Sequence, residues 1–150
     1  MKRFLQTLFI LFSILALAGC ASMHPVHVDL RSSKVLNPDA EYHSLPVMVR
    51  VYQLKSRDQF DSASFYQLWQ QYKTALGSSL LDTSTARLRP GQSKTIKLDK
   101  ADGMQYLGVV AVYRQPASNH WRVIQKFGKG VPYIPQSISL SLVGNHIYLR

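Results

Sequence analysis

Apolar and polar residues alternate from His24 to Arg31, with Val26, Val28 and Leu30 on one side and His27, Asp29 and Arg31 on the other. That is the period of a half-buried strand. Val47–Leu54, after Pro46, is apolar in both parities and holds one charge, Arg50. A run of that kind predicts a central strand covered on both faces. Between Asp61 and Leu76 the period changes, and Phe65, Leu68, Trp69, Tyr72 and Leu76 form one helical stripe. Asp61 or Ser62 can cap its start and Gly77 its end. The stripe predicts a helix packed on the domain's own sheet rather than a face offered to a partner. Later segments read as strands: Ser84–Arg89, Ser93–Leu98 after a Pro90-Gly91 turn, Tyr106–Arg114 as a second central strand, and Trp121–Phe127 more weakly. Ser137–Val143 points Ile138, Leu140 and Leu142 inward, then turns at Gly144-Asn145 into His146–Arg150, with Ile147 and Leu149 inward. About eight short strands and one inserted α-helix predict an all-β fold, a β-sandwich.

The connection between the first two strands, Ser32 to Leu45, is long and contains Leu36-Asn37-Pro38-Asp39. Asn-Pro and the Asp after it suit a turn. Long loops in compact domains are often functional. Pro38 fixes its own φ and biases Asn37 to extended geometry, which predicts a partly preordered tip.

The first residues follow a different pattern. Lys2 and Arg3 precede an apolar run from Phe4 to Ala18, broken only by Gln6, Thr7 and Ser13. A basic start, a short apolar run and small residues at its end make a secretory signal rather than a membrane span. The run closes on Leu17-Ala18-Gly19-Cys20, and Cys20 is the single cysteine. The order Leu-Ala-Gly-Cys resembles the bacterial lipobox, the alternative being a plain signal with a leftover cysteine. The resemblance implies diacylglycerol on the Cys20 thiol, cleavage before Cys20 and acylation of the new amine. Two or more acyl chains anchor stably where one holds marginally. Ala21, rather than Asp, follows Cys20, which by the lipoprotein sorting pattern implies the outer membrane, facing the periplasm. The expected layout is signal peptide 1–19, lipidated N-terminus and short tether 20–23, and periplasmic sandwich 24–150.

Cleavage before Cys20 removes 19 of the 150 residues. The remainder suits one domain with a core that needs no disulfide. The formal charge of +10 falls to +8 once Lys2 and Arg3 are gone. An exported chain is not expected to meet nucleic acid, so the excess suits anionic lipid head groups, an acidic partner or plain solvation. Catalytic chemistry is not apparent. The single thiol is committed to lipid, His24, His27, His43, His120 and His146 are scattered, and His24-Pro25-Val26-His27 places its histidines on opposite strand faces. No glycine-rich phosphate loop or nucleophile elbow occurs. The expectation is a protein with no enzymatic activity, no metal and no cofactor beyond the covalent lipid.

Several segments occur in a family-like order: Leu36-Asn37-Pro38-Asp39, Pro46–Leu54, Phe60 and Phe65, Leu76-Gly77, Leu88-Arg89-Pro90-Gly91, Tyr106–Arg114 and Trp121. With the lipobox they resemble the outer-membrane lipoprotein of the type VI secretion system, the TssJ (SciN or VasD) family. Gly128–Gln136 departs from the family pattern. The resemblance implies a transthyretin-like sandwich with an added helix. It implies a role in the trans-envelope complex, through binding the periplasmic C-terminal region of the inner-membrane component TssM. It also implies that the loop between the first two strands, roughly Lys34 to Leu45, is the contact. There Leu36, Tyr42 and Leu45 supply apolar area, Asn37 and Pro38 the turn, and Asp39, Glu41 and His43 a polar rim. The other readings are a lipoprotein that binds a small ligand in such a sandwich, and an envelope hydrolase.

Overall fold

The computed structural model describes residues 24–130 and 134–150. The signal, Cys20 and the tether lie outside the described residues. Two four-stranded sheets face each other. One is built from β1 (Pro25–Leu36), β4 (Ser93–Asp99), β7 (Gln136–Gly144) and β8 (His146–Leu149), in the order β4-β1-β7-β8. The other takes β2 (Val47–Leu54), β3 (Leu80–Leu88), β5 (Tyr106–Val112) and β6 (Arg122–Lys126), in the order β3-β2-β5-β6. All neighbours are antiparallel except β1 and β7, which run parallel with Val28 opposite Ile138 and Leu30 opposite Leu140. The alternation along β1 and β7 is what buries Val26, Val28, Leu30, Ile138, Leu140 and Leu142 against Val47, Val49, Val51 and Val109. The serines of β7 fall on the other parity, on the outer face.

β2 and β5 are central strands, as their two-sided apolar pattern requires. The second cover is a helical layer, but it is not the single predicted helix. Three short pieces replace it: α1 (Asp58–Ser62), α2 (Phe65–Gln70) and α3 (Tyr72–Leu76), followed by a 3-10 turn at Gly77–Ser79. Ala63 is extended between α1 and α2. Ser64, not Asp61 or Ser62, caps α2 through a reciprocal box with Gln67. Gln71, at φ −125° and ψ 26°, separates α2 from α3. The apolar stripe survives the breaks because each piece keeps its inward residues: Phe60, Leu68 and Leu76 are buried.

Side chains of β2 and β6 fasten this layer. The Tyr52 hydroxyl donates to the Leu68 carbonyl at 2.5 Å, and its ring meets Phe60 and Tyr72 edge-on at 5.7 and 6.0 Å between centroids. The Arg50 guanidinium lies 4.4 Å from the Trp69 ring centre and 4.5 Å from that of Tyr72, and donates to the Trp69 carbonyl at 2.8 Å. Arg122 donates to the carbonyls of Phe60, Asp61 and Ala63 at 2.6, 2.8 and 2.8 Å. One cation thus satisfies the orphan carbonyls at the end of α1.

The strand boundaries shift in places. β1 runs five residues past the predicted Arg31, because Leu36 stays in the core and faces Gly144 of β7 beyond a register irregularity. β3 begins four residues before the predicted Ser84 and starts beside Leu54. Leu149, expected inward, is 46% exposed, because β8 is an edge strand with no neighbour to cover its outer flank.

Burial also raises the pKa of two tyrosines, Tyr52 to about 12, and Tyr113, whose hydroxyl donates to the His146 carbonyl at 2.7 Å. An unfolded tyrosine ionises near pH 10, so the buried neutral phenols stabilise the fold fully below that pH and lose this contribution as pH rises through the folded values. Urea midpoints should therefore hold to about pH 10 and fall steeply above it. Phenolate absorbance should show two of the eight tyrosines ionising only with unfolding. A midpoint that stays flat to pH 12 would contradict the burial.

Candidate functional site

The loop between β1 and β2 is shorter than predicted and closed by its own hydrogen bonds. It spans residues 37–46. At its base the Leu45 N–H donates to the Leu36 carbonyl at 2.9 Å, and the Asn37 N–H donates to the Gly144 carbonyl at 2.8 Å. Asn37 is buried. Its side-chain amide donates to the Pro46 carbonyl at 2.9 Å, and its side-chain oxygen accepts the Arg114 N–H at 2.8 Å. One residue so ties the loop to β2, to the β7–β8 hairpin and to the end of β5. Its φ is 45°, in the left-handed region, not the extended geometry expected before proline. Asparagine tolerates that region, and two side-chain hydrogen bonds outweigh the pre-proline bias.

Asp39 organises the tip. Its carboxylate accepts the N–H groups of Glu41 and His43 at 2.9 and 2.8 Å, and approaches the His43 ring at 3.3 Å. The His43 N–H is the main reason its pKa lies below the ordinary carboxylate value. The backbone closes the same turn, Asp39 N–H to the His43 carbonyl and Tyr42 N–H to the Asp39 carbonyl, at 3.0 and 3.1 Å. Tyr42 is held at φ 65° with its side chain 87% exposed.

The residues assigned to the contact therefore divide. Leu36 and Asn37 are buried and structural, because they belong to β1 and to the loop base. Leu45 is half-buried. Pro38 and Asp39 are partly exposed, and Glu41, Tyr42 and His43 form the accessible tip. The sequence reading missed Arg114 and Gly144 as supports, since backbone groups leave no trace in residue type. Beside the loop base, the rings of His120 and His146 lie 5.1 Å apart, and His146 stacks on Tyr148 at 5.8 Å.

Open clefts on the described surface measure about 580 Å³ beside Met104 and Phe127, about 530 Å³ beside Phe127 and Leu149, and about 320 Å³ beside Arg31 and Lys94. The second opens at the edge of the sandwich, between β6 of one sheet and β7 and β8 of the other. No group of three or more His, Cys, Asp or Glu among the described residues is arranged to hold a metal ion. No helix among them is long and apolar enough to cross a membrane.

A family profile described as type VI secretion lipoprotein (VasD, EvfM, TssJ) matches residues 24–140. Solved structures agree. The T6SS lipoprotein TssJ1 from Pseudomonas aeruginosa is 25% identical, with a TM-score of 0.76 over 85% of this chain and 95% of that one. A chain of a type VI membrane complex is 28% identical, with a TM-score of 0.76 over 85% and 98%. A chain in a structure of the T6SS protein TssM C-terminal domain from EAEC is 30% identical, with a TM-score of 0.70 over 84% and 97%. No curated protein sequence matches. The match spans nearly the whole sandwich, from His24 at the start of β1 into β7, and the chain belongs to the type VI secretion lipoprotein family.

Proposed function

We propose that this protein is the outer-membrane lipoprotein of a type VI secretion membrane complex. It carries diacylglycerol and an N-acyl chain on Cys20 and holds the trans-envelope complex by binding the periplasmic C-terminal region of the inner-membrane component, TssM. It needs no other cofactor and no catalysis. The observation that carries this reading is the loop. It is a closed, preordered tip that displays Tyr42 at the far end of β1 from Pro25. Preordering lowers the entropy cost of docking, and tyrosine is enriched among interface anchors. Similarity to a chain of a structure described as a TssM C-terminal domain supports the choice of partner. The small-ligand reading has less support, because the larger clefts are open to solvent rather than enclosed.

The test has two halves. The lipoprotein, purified in a non-ionic detergent, is titrated with the periplasmic C-terminal region of the TssM encoded by the same cells, and saturable one-site binding is expected. In cells, Cys20→Ser should remove the protein from the outer-membrane fraction. No binding at micromolar concentration would sink the partner, and an unchanged outer-membrane yield would sink the lipid anchor.

A further inference from the structure

We propose that a basic corner beside the loop is a second docking surface, made for a carboxylate-rich patch on the protein partner. This deepens the partner reading above and rests on it.

The corner is assembled by the turn between β3 and β4. Arg31 of β1 lies opposite Ser93, and Lys94 lies opposite Leu30. The Ser32 hydroxyl donates to the Arg89 carbonyl at 2.6 Å, and the Gly91 N–H donates to the Ser33 carbonyl at 2.9 Å. The Lys34 side chain runs alongside Gly91, 3.7 Å from where a Cβ would stand. Arg87, opposite Met48, faces the helix side of the other sheet and is not part of the corner. Arg31, Lys34, Arg89 and Lys94 are all exposed. None of the four forms an ion pair among the described residues, where the pairs are His43 with Asp39 and Glu41, and Arg57 with Asp61.

The acidic residues are elsewhere. Asp82 and Asp99 lie opposite Gln53 and Pro25, toward the Pro25 end of the sandwich. Asp102 follows Asp99, and Asp58 and Asp61 belong to α1. Asp39 and Glu41 engage His43 within their own loop. Among the described acidic side chains only Asp29 borders the corner, and it accepts the Thr95 hydroxyl at 2.5 Å. Four cations beside one committed carboxylate repel one another in the free protein. An acidic surface that docks there relieves the repulsion and is steered onto it.

A bilayer is the other anionic surface within reach. The position of the corner argues against it. At about 3.3 Å per residue, Arg31 and Lys34 lie roughly 20 and 30 Å along β1 from Pro25. The screening length at physiological salt is about 8 Å. Lys34 is also only three residues from Asn37, so the corner continues into the loop tip.

The experiment measures association of the detergent-purified lipoprotein with the periplasmic C-terminal region of TssM, at low and at high salt. The variants are Arg31→Glu/Arg89→Glu/Lys94→Glu and Tyr42→Ala. The charge-reversed protein should melt like wild type, associate at least tenfold more slowly at low salt, and lose the salt dependence of the wild-type rate. Lys94→Glu alone, on an edge strand, gives the same direction with a smaller loss and replaces the triple variant if that fails to fold. Tyr42→Ala should raise the dissociation rate and keep the salt dependence. A charge-reversed protein with wild-type rate and salt dependence overturns the corner while the loop reading stands. Loss in the charge-reversed protein with no effect of Tyr42→Ala supports the corner and overturns the loop. Unchanged TssM association together with lost binding to vesicles containing phosphatidylglycerol would make the corner a lipid site and overturn the proposal.

Discussion

Gly108→Ala is expected to lower the unfolding free energy by about 2–3 kcal/mol, the size of an overpacked core site. In most strands alanine in place of glycine is neutral or helpful, because it restricts the unfolded chain. Here the space decides the sign. Gly108 sits in β5 between Tyr52 of β2 and Ile124 of β6. A Cβ added to it would stand 2.6 Å from Cε2 and 2.8 Å from Cζ of Phe60. That ring is fully buried and packs edge-on against Tyr52, so it has no free direction to yield. The glycine is the floor on which α1 stands. Thermal melts of Gly108→Ala should fall by several degrees. In the double variant Gly108→Ala/Phe60→Leu the two losses should be less than additive, because the smaller side chain makes room for the methyl. Strict additivity would mean that the clash is not the cause.

Tyr42→Ala should weaken binding to the TssM C-terminal region by roughly thirtyfold, about 2 kcal/mol, while the melting temperature stays put. Five residues away, Asn37→Ala should act on the fold first, lowering the melting temperature and weakening binding only through a loop it no longer holds. Tyr42 contributes area at an exposed tip whose shape is set by Asp39, so its loss removes contact without touching the fold. Asn37 leaves two backbone groups, the Pro46 carbonyl and the Arg114 N–H, without their partner, and alanine tolerates its φ of 45° poorly. Each term is about 1–3 kcal/mol. Calorimetric titration and melting of the two variants check the separation. Equal losses of affinity and stability in Tyr42→Ala would make the tip part of the fold instead of a contact.

The strands were legible because their burial is one-sided or two-sided in a way that the chain spells out. Alternation marked β1 and β7, and two-sided apolar runs marked β2 and β5. The helical layer was legible only in part. The stripe from Phe65 to Leu76 has no Pro or Gly, so nothing in it announces the break at Gln71. The break serves packing, since Tyr72 reaches both Arg50 and Tyr52. The Ser64–Gln67 capping box, by contrast, was present in the sequence as Ser-x-x-Gln and went unused. In the loop, proline pointed the wrong way about Asn37, because two of the partners that hold it, Arg114 just past β5 and Gly144 of β7, lie 77 and 107 positions along the chain. The basic corner was visible only as a net charge. Its concentration beside one turn depends on pairings between distant strands.

The placement of β1 has a mechanical consequence. It is an inner strand, held by β4 on one side and β7 on the other, and the tether and the loop leave from its two ends. A pull between a lipid on Cys20 and a partner on the loop therefore runs along the strand axis. Both points of attachment then lie on one strand, so the tension is carried by the already extended backbone of β1, and neither ladder is sheared or peeled. On the proposed function, load would pass from partner to lipid without unfolding the sandwich, whose ladders serve to hold the loop in shape rather than to bear force.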